Sequence, residues 1–198
     1  TGGNGKSKLV ELMSMVLGDY KGSVPLALIT QKRGSIGGVS PEIAQLKGLR
    51  YAVMQEPSKA TKLNEGIMKE LTGGDPIQGR ALFKDTVTFI PQFKLVCCTN
   101  HLPDIKSTDG GTWRRIRIVE FESTFKETIE EVSTNPEDHE YLGDQELGKK
   151  LIKWAPIMAS LLIEIACEKE LWKNKVEKCD MVMKASKAYQ EKSDYLSL

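Results

Sequence analysis

The chain has 198 residues, 40% of them hydrophobic and 28% charged, and its 28 Lys and Arg against 27 Asp and Glu leave a formal net charge of +1. These proportions fit a folded globular protein of one or two domains and exclude a disordered or collagen-like chain. The most apolar stretch, Ile157 to Cys167, is broken by Glu164 and falls short of the roughly 18 residues a membrane-spanning helix needs.

The small net charge conceals an uneven distribution. Residues 1–125 hold 17 basic and 12 acidic side chains, a surplus of +5, whereas residues 126–198 hold 11 and 15, a balance of −4. The composition changes at the same place, from Gly-rich with strand-like runs to acidic and helical. A subdomain boundary is therefore expected near Phe125. The four cysteines (Cys97, Cys98, Cys167, Cys179) form no C-x-x-C pair, and with only His101 and His139 beside them they read as buried free thiols of a reducing, intracellular compartment. The chain opens inside a glycine-rich motif without an initiator Met, which reads as a segment of a longer polypeptide.

In chain order, Leu9, Leu12, Met13, Val16 and Leu17 recur at helical spacing and predict an amphipathic helix from Ser7 to Leu17, ended by Gly18. Pro25 to Thr30 reads as a short buried strand and Gly34 to Gly38 as a loop. Ser40-Pro41-Glu42 supplies an N-cap, a first-turn proline and an acid for a short helix stopped by Gly48. Leu49 to Gln55 reads as a second strand and Asn64 to Leu71 as a helix, followed by the turn Gly73-Gly74-Asp75-Pro76. Alternation from Arg80 to Phe89 around the polar Lys84-Asp85 predicts a hairpin. Phe93 to Thr99 and Arg115 to Phe121 read as further strands, and Asp144 to Lys169 and Lys178 to Gln190 as helices. Apolar strands separated by helices predict an α/β fold with a parallel sheet covered on both faces.

Five features carry chemistry. In Gly2-Gly3-Asn4-Gly5-Lys6-Ser7 the glycines let backbone N–H groups converge on phosphate oxygens at a helix start; Lys6 would reach the phosphates and the Ser7 hydroxyl Mg²⁺. The full pattern wants a glycine one position before Thr1 and a strand before that; the ordinary alternative is a flexible glycine-rich end. Glu56 ends a predicted strand, where a carboxylate serves Mg²⁺ and an attacking water, although a solvated strand-end acid is common. Asn100, after Phe93 to Thr99, could orient that water, or simply form a turn near Pro103. Arg114 and Arg115 could stabilise charge on a transferred phosphoryl group, including one held by a neighbouring subunit, or be surface arginines. Arg80, Phe83 and Lys84 on the hairpin could grip and stack on nucleic acid, or be a solvated tip.

Taken in order, these stretches resemble the superfamily 3 helicase domain, a branch of the AAA+ P-loop ATPases, and among its members the primase–helicases of large DNA viruses and related phage and plasmid primases. The resemblance runs from Asn4-Gly5-Lys6-Ser7 to about Phe125. It is densest in Lys69-Glu70-Leu71-Thr72-Gly73-Gly74-Asp75-Pro76-Ile77, in Phe93-Lys94-Leu95 through Thr99-Asn100-His101-Leu102-Pro103, and in Asp109-Gly110-Gly111-Thr112-Trp113-Arg114-Arg115-Ile116. Ala185-Ser186-Lys187-Ala188-Tyr189 with Asp194 resembles the segment that follows the ATPase domain.

The resemblance implies an ATPase core over residues 1–125 and a helical C-terminal subdomain over 126–198, the two forming part of a replication enzyme at a viral replication site or in the host cytoplasm. It implies ATP and Mg²⁺ as cofactors, with Lys6 as phosphate-loop lysine and Ser7 and Glu56 toward the metal. It further implies Asn100 as sensor, and Arg115 as an arginine acting in trans with Arg114 a second. Lys84 and Phe83 then fall on a hairpin lining the pore of a ring, expected to be a homohexamer around single-stranded DNA, with a primase domain upstream. Gln55 departs from the paired acids many members carry before this point, which leaves Glu56 to serve both metal and water. The rival readings are a P-loop kinase of small substrates, an AAA+ motor that loads or packages DNA without unwinding, and a DNA-binding or assembly module with a degenerate ATPase.

Overall fold

The computed structural model describes residues 3–30, 39–55, 62–105 and 109–195. The backbone groups into two compact units, each made of separated stretches: Thr1–Gly18 with Val119–Lys184, and Asp19–Ile118 with Ala185–Leu198. The compositional change near Phe125 falls inside the first of these.

In the first unit, α1 (Lys6–Leu17) starts one residue before its expected position, and Gly18 ends it at φ 52°. Its buried Val10 lies on the stripe that packs against α6 (Leu147–Glu168), which buries Leu151 and Ala155. Two short parallel strands, β6 (Thr124–Lys126) and β7 (Glu140–Leu142), were not foreseen; they are three residues each, and Lys126 Nζ lies 2.9 Å from Glu140 Oε1 across them.

In the second unit, β1 (Lys21–Ser23), β2 (Tyr51–Gln55) and β5 (Lys94–Cys98) form a parallel sheet in the order β1-β2-β5. Three successive residues of β2, Ala52, Val53 and Met54, are buried. Since successive strand side chains point to opposite faces, both faces of β2 are covered, as a parallel sheet requires. Helix α4 (Glu65–Gly73) sends Ile67, Met68 and Leu71 into the same core; Asn64 caps it by accepting from Ile67 N, and Gly74 at φ 89° releases it. α/β architecture with a parallel sheet is thus the observed class.

Three expectations about local structure need correction, and the expected burial of the cysteines fails as well, since Cys97, Cys167 and Cys179 are exposed. The run Pro25 to Thr30 is not a strand: the ladder ends beyond Ser23 with Val24 N donating to Val53 O, and Ala27–Thr30 forms a single helical turn (α2) that buries Leu28 and Ile29. Pro25 lacks an N–H for a ladder, and short apolar runs do not distinguish buried strand from buried helix. Arg115 to Phe121 is likewise not a strand. A strand exists only by pairing; Ile116, Arg117 and Ile118 instead line, together with Lys94, Leu95 and Cys97 of β5, a cavity of about 710 Å³. Ile118 N donates instead to Ser186 Oγ at 2.9 Å, on helix α7 (Asp180–Tyr195). The third correction concerns Ser40, whose hydroxyl does not cap α3 (Pro41–Ala44). It accepts from Arg80 N at 3.1 Å, and Ser40 N donates to Arg80 O at 2.7 Å. The loop expected at Gly34 to Gly38 lies outside the described residues.

A hairpin is present, but its first strand lies earlier than the Arg80–Phe89 span expected: β3 (Ile77–Arg80) pairs with β4 (Thr86–Phe89) in antiparallel register. α3 lies flat on β3 because Gly79 has no side chain: a Cβ there would fall 2.5 Å from Ala44 N and 2.9 Å from Ala44 Cα. Backbone cannot yield as a flexible side chain does, so Gly79→Ala is expected to destabilise the unit by about 1–3 kcal/mol. Urea unfolding should show this as a lower midpoint with an unchanged slope.

Candidate functional site

The glycine-rich start belongs to the first unit. Gly3 and Gly5 adopt φ 79° and 84°, left-handed values that favour glycine. Both approach Phe125: its N–H donates to Gly3 O at 2.7 Å, and a Cβ on Gly3 would lie 3.2 Å from Phe125 O. Gly5 is the N-cap of α1, offers no side-chain cap, and is followed by a first turn without an acid. The first amide groups of a helix lack internal partners and carry the positive end of the dipole, so this turn is chemically suited to an anion. Lys6 extends from it, half-buried, its Nζ 2.9 Å from Asn4 Oδ1, and Ser7 is exposed. This is a donor set that fits phosphate, and the Ser7 hydroxyl is a ligand type that suits Mg²⁺. Gly2 and Glu56 lie outside the described residues.

The remaining candidates belong to the second unit. Strand β5 pairs with β2 so that Cys98 stands opposite Gln55, placing the carboxyl ends of both strands on one edge of the sheet. Thr99 leaves β5 there and braces the following turn, its Oγ1 donating to His101 O at 2.5 Å and accepting from His101 N at 3.0 Å. Asn100, inside that turn, is exposed. The carboxyl edge of a parallel sheet is where open α/β folds bind ligands.

At the hairpin tip, Lys84 N donates to Ala81 O and Arg80 Nε to Lys84 O at 3.3 Å. Arg80 therefore folds back to brace the tip. Phe83, at φ 56°, is 93% exposed, with Leu82 and Lys84 exposed beside it. A bulky residue in the left-handed region carries a conformational cost, and an exposed ring held there marks the tip as a candidate contact. Leu82 was missed by sequence reasoning, though it lies inside the same polar–apolar turn.

The two arginines differ. They follow the one-turn helix α5 (Gly110–Trp113). Arg115 turns inward: it is half-buried, its Nη1 donates to Gly111 O at 2.7 Å, and its Nε is buried without a hydrogen-bond partner among the described residues. Arg114 is exposed. The turn itself is tied to α4. Asp109 accepts from Gly111 N at 2.8 Å and from Lys69 Nζ at 2.5 Å, and Thr112 Oγ1 donates to Glu65 Oε2 at 2.9 Å. The Lys69 bond foremost, then the Gly111 N–H and the nearby Lys69 and Arg114 charges, hold the Asp109 carboxyl below the usual aspartate range. Sequence reasoning quoted both stretches without finding this link, because nothing local joins residues 40 positions apart.

On the C-terminal helix, Trp113 meets Tyr189 edge-on with centroids 5.6 Å apart, and the Tyr189 hydroxyl donates to Pro103 O. Burial pushes that phenol up to about 12. Among the described residues, no group of three or more His, Cys, Asp or Glu could hold a metal, and no helix is long and apolar enough to cross a membrane.

Residues 1–115 match DUF5906, a family described as one of unknown function. The chain belongs to the DUF5906 family. Over 169 aligned residues and 83% of its length, this DUF5906 chain is 41% identical to an Acanthamoeba polyphaga mimivirus protein named a "putative helicase", of which it covers 18%. It is 36% identical over 98% of its length to a "putative helicase" of Frog virus 3, covering 20% of it. Against a "putative primase" of African swine fever virus it is 33% identical over 59% of its length, covering 12% of that protein. The chain thus spans about a fifth of the length of the helicase-named relatives it matches.

The Lys69–Asp109 pair gives a direct check. A carboxyl with a depressed pKa keeps its contacts at neutral pH and loses them only as pH falls through its lowered value. NMR titration of the Asp109 side chain should therefore give a midpoint below that of an unpaired aspartate. Lys69→Met should move it back up; an unmoved midpoint would contradict the contact.

Proposed function

We propose that this chain is the ATPase part of a viral DNA helicase of the superfamily 3, AAA+ type. In this reading it works as a ring, six-membered by resemblance, that couples ATP hydrolysis to movement along single-stranded DNA, with a primase domain elsewhere in the same polypeptide. The observation that carries the reading is the hairpin: an exposed Phe83 beside Lys84, braced by Arg80 and clamped at its base to Ser40. Aromatic faces stack on bases of any sequence and cations track the backbone, which is what a translocating motor needs. A kinase of small substrates has no use for such a tip. The names of the viral relatives support the same reading.

In mechanism, the Gly5-capped start of α1 and Lys6 bind the phosphates, which fits their geometry and the absence of a first-turn acid. Mg²⁺, when bound, neutralises charge on the phosphate oxygens; Ser7 and Glu56 are the residues assigned to hold it. Asn100 orients the attacking water as a neutral amide that does not compete for its proton. An arginine from the next copy, drawn from the pair Arg114 and Arg115, stabilises the charge that develops on the transferred phosphoryl group. The ATPase core is assigned to residues 1–125 and the helical subdomain to 126–198. A DNA-loading or packaging motor would use the same residues, and forked-duplex unwinding separates the two.

Lys6→Ala is expected to reduce ATP turnover to background, measured as phosphate release by the assembled protein. Lys84→Ala is expected to lower forked-duplex unwinding by more than about 10-fold, since each lost contact repeats around the ring. Intact unwinding by that variant would remove the hairpin from the DNA path.

A further inference from the structure

The segment that carries Asn100 leaves β5 and is pinned at both ends. At its start, Thr99 Oγ1 donates to His101 O and accepts from His101 N. At its far end, Asp104 O accepts from Leu63 N at 3.3 Å and Ile105 is buried. Pro103 stands between, its ring fixing its own φ and keeping Leu102 out of helical backbone. Helix α7 adds a third hold at this proline. The Tyr189 hydroxyl donates to Pro103 O, and the Tyr189 ring meets the buried Trp113 edge-on. One half-buried phenol therefore touches both the Asn100 segment and α5.

Tyr189 is itself held firmly, and all of these residues belong to the second unit. Ser186, Tyr189 and Ser193 recur at i, i+3 and i+7, which places them on one face of α7. Ser186 Oγ accepts from Ile118 N at 2.9 Å, and the buried Ser193 donates its hydroxyl to Tyr189 O at 2.9 Å. The Tyr189 side chain packs against the core that β2 and α4 build. Burial pushes the phenol up to about 12, so the hydroxyl stays protonated and able to donate throughout the neutral range. A phenylalanine would fill the same apolar space. What the tyrosine adds is a polar tip, and that tip is spent on a carbonyl three residues beyond Asn100.

We propose that Tyr189 is the positioning residue for Asn100: by holding Pro103 O, its hydroxyl sets where this segment presents the Asn100 amide to the water that attacks ATP. Tyr189 has this role only if the ATPase reading above holds. It touches neither nucleotide nor water, and through it the C-terminal helix takes part in hydrolysis. Small misplacements of an orienting group are expensive, an error of about 1 Å costing up to about 10²-fold in rate.

The test uses the complete assembled protein. Wild type should hydrolyse ATP, and Asn100→Ala should lower kcat by about 10²-fold, which establishes the parent reading. Tyr189→Phe removes the hydroxyl and keeps the ring on Trp113. It should lower kcat about 10-fold with KM for ATP within a few fold, while the melting temperature stays close to wild type. Added to Asn100→Ala, Tyr189→Phe should lower kcat no further, because no amide remains to be positioned. An inactive wild-type ring, or an active one indifferent to Asn100→Ala, overturns the parent reading and the Tyr189 role with it. A ring slowed by Asn100→Ala but not by Tyr189→Phe overturns the Tyr189 role alone. Losses that multiply in the double variant also overturn it, since Tyr189 would then act on the fold at large and not through Asn100.

Discussion

The parallel pairing of β2 with β5 is the constraint on which the second unit depends. Five register pairs, from Tyr51 with Lys94 to Gln55 with Cys98, bring together strands separated by α4 and the whole hairpin. Because the strands run the same way, the chain must cross over between them, and α4 covers the sheet as it does so. The buried Ala52, Val53 and Met54 fix the register, since a one-residue slip would exchange the two faces of β2. The carboxyl ends of both strands consequently share one edge, where Thr99 and Asn100 leave the sheet.

The hairpin is a consequence of the same crossover. It leaves after α4 and returns to start β5, so its base is anchored at the sheet while its tip is free to project. The clamp from Ser40 and the missing side chain at Gly79 hold β3 against α3. Force applied at Phe83 would thus pass into α3 and β5 instead of bending an isolated loop. The arginine-bearing turn is tied to the same crossover, through Lys69 and Glu65 on α4. α4 therefore connects both features to the sheet, and it is rigidly begun and ended by Asn64 and Gly74.

Legibility followed locality. The hairpin was readable because its alternation and its polar tip are local signals, and α1 and α4 because their apolar spacing and terminal residues are. Pro25 to Thr30 was misread since the four-residue apolar stretch Leu26 to Ile29 after a proline satisfies strand and helix alike. Arg115 to Phe121 was misread for a different reason: its apolar character is real, but strand structure belongs to a pair, and no pairing partner reaches it among the described residues. Ser40 had the right residue type for a cap, and its hydroxyl is used by Arg80 because the hairpin amide lies within reach. The different settings of Arg114 and Arg115 were invisible, as adjacent identical residues carry no signal of which turns inward. The distant Lys69–Asp109 link was equally hidden, although both residues sit in the stretches that gave the family resemblance. Glu56 and Gly2, outside the described residues, keep only their sequence argument.

A membership in DUF5906 by itself assigns no activity, and the helicase-named viral relatives are about five times the length of this chain. The proposed ring ATPase reading therefore draws on site chemistry: a left-handed glycine turn before Lys6, an exposed Asn100 at the carboxyl edge of the sheet, an arginine pair after α5 and a braced aromatic tip. The most direct test is a cryo-EM structure of the full protein assembled with a non-hydrolysable ATP analogue and single-stranded DNA. The account predicts a ring in which the phosphates lie against Gly5, Lys6 and Ser7 of one copy, a guanidinium of the next copy reaches the terminal phosphate, and Phe83 and Lys84 face the DNA. A nucleotide enclosed by a single copy beside a small acceptor pocket, with the hairpin away from DNA, would contradict it.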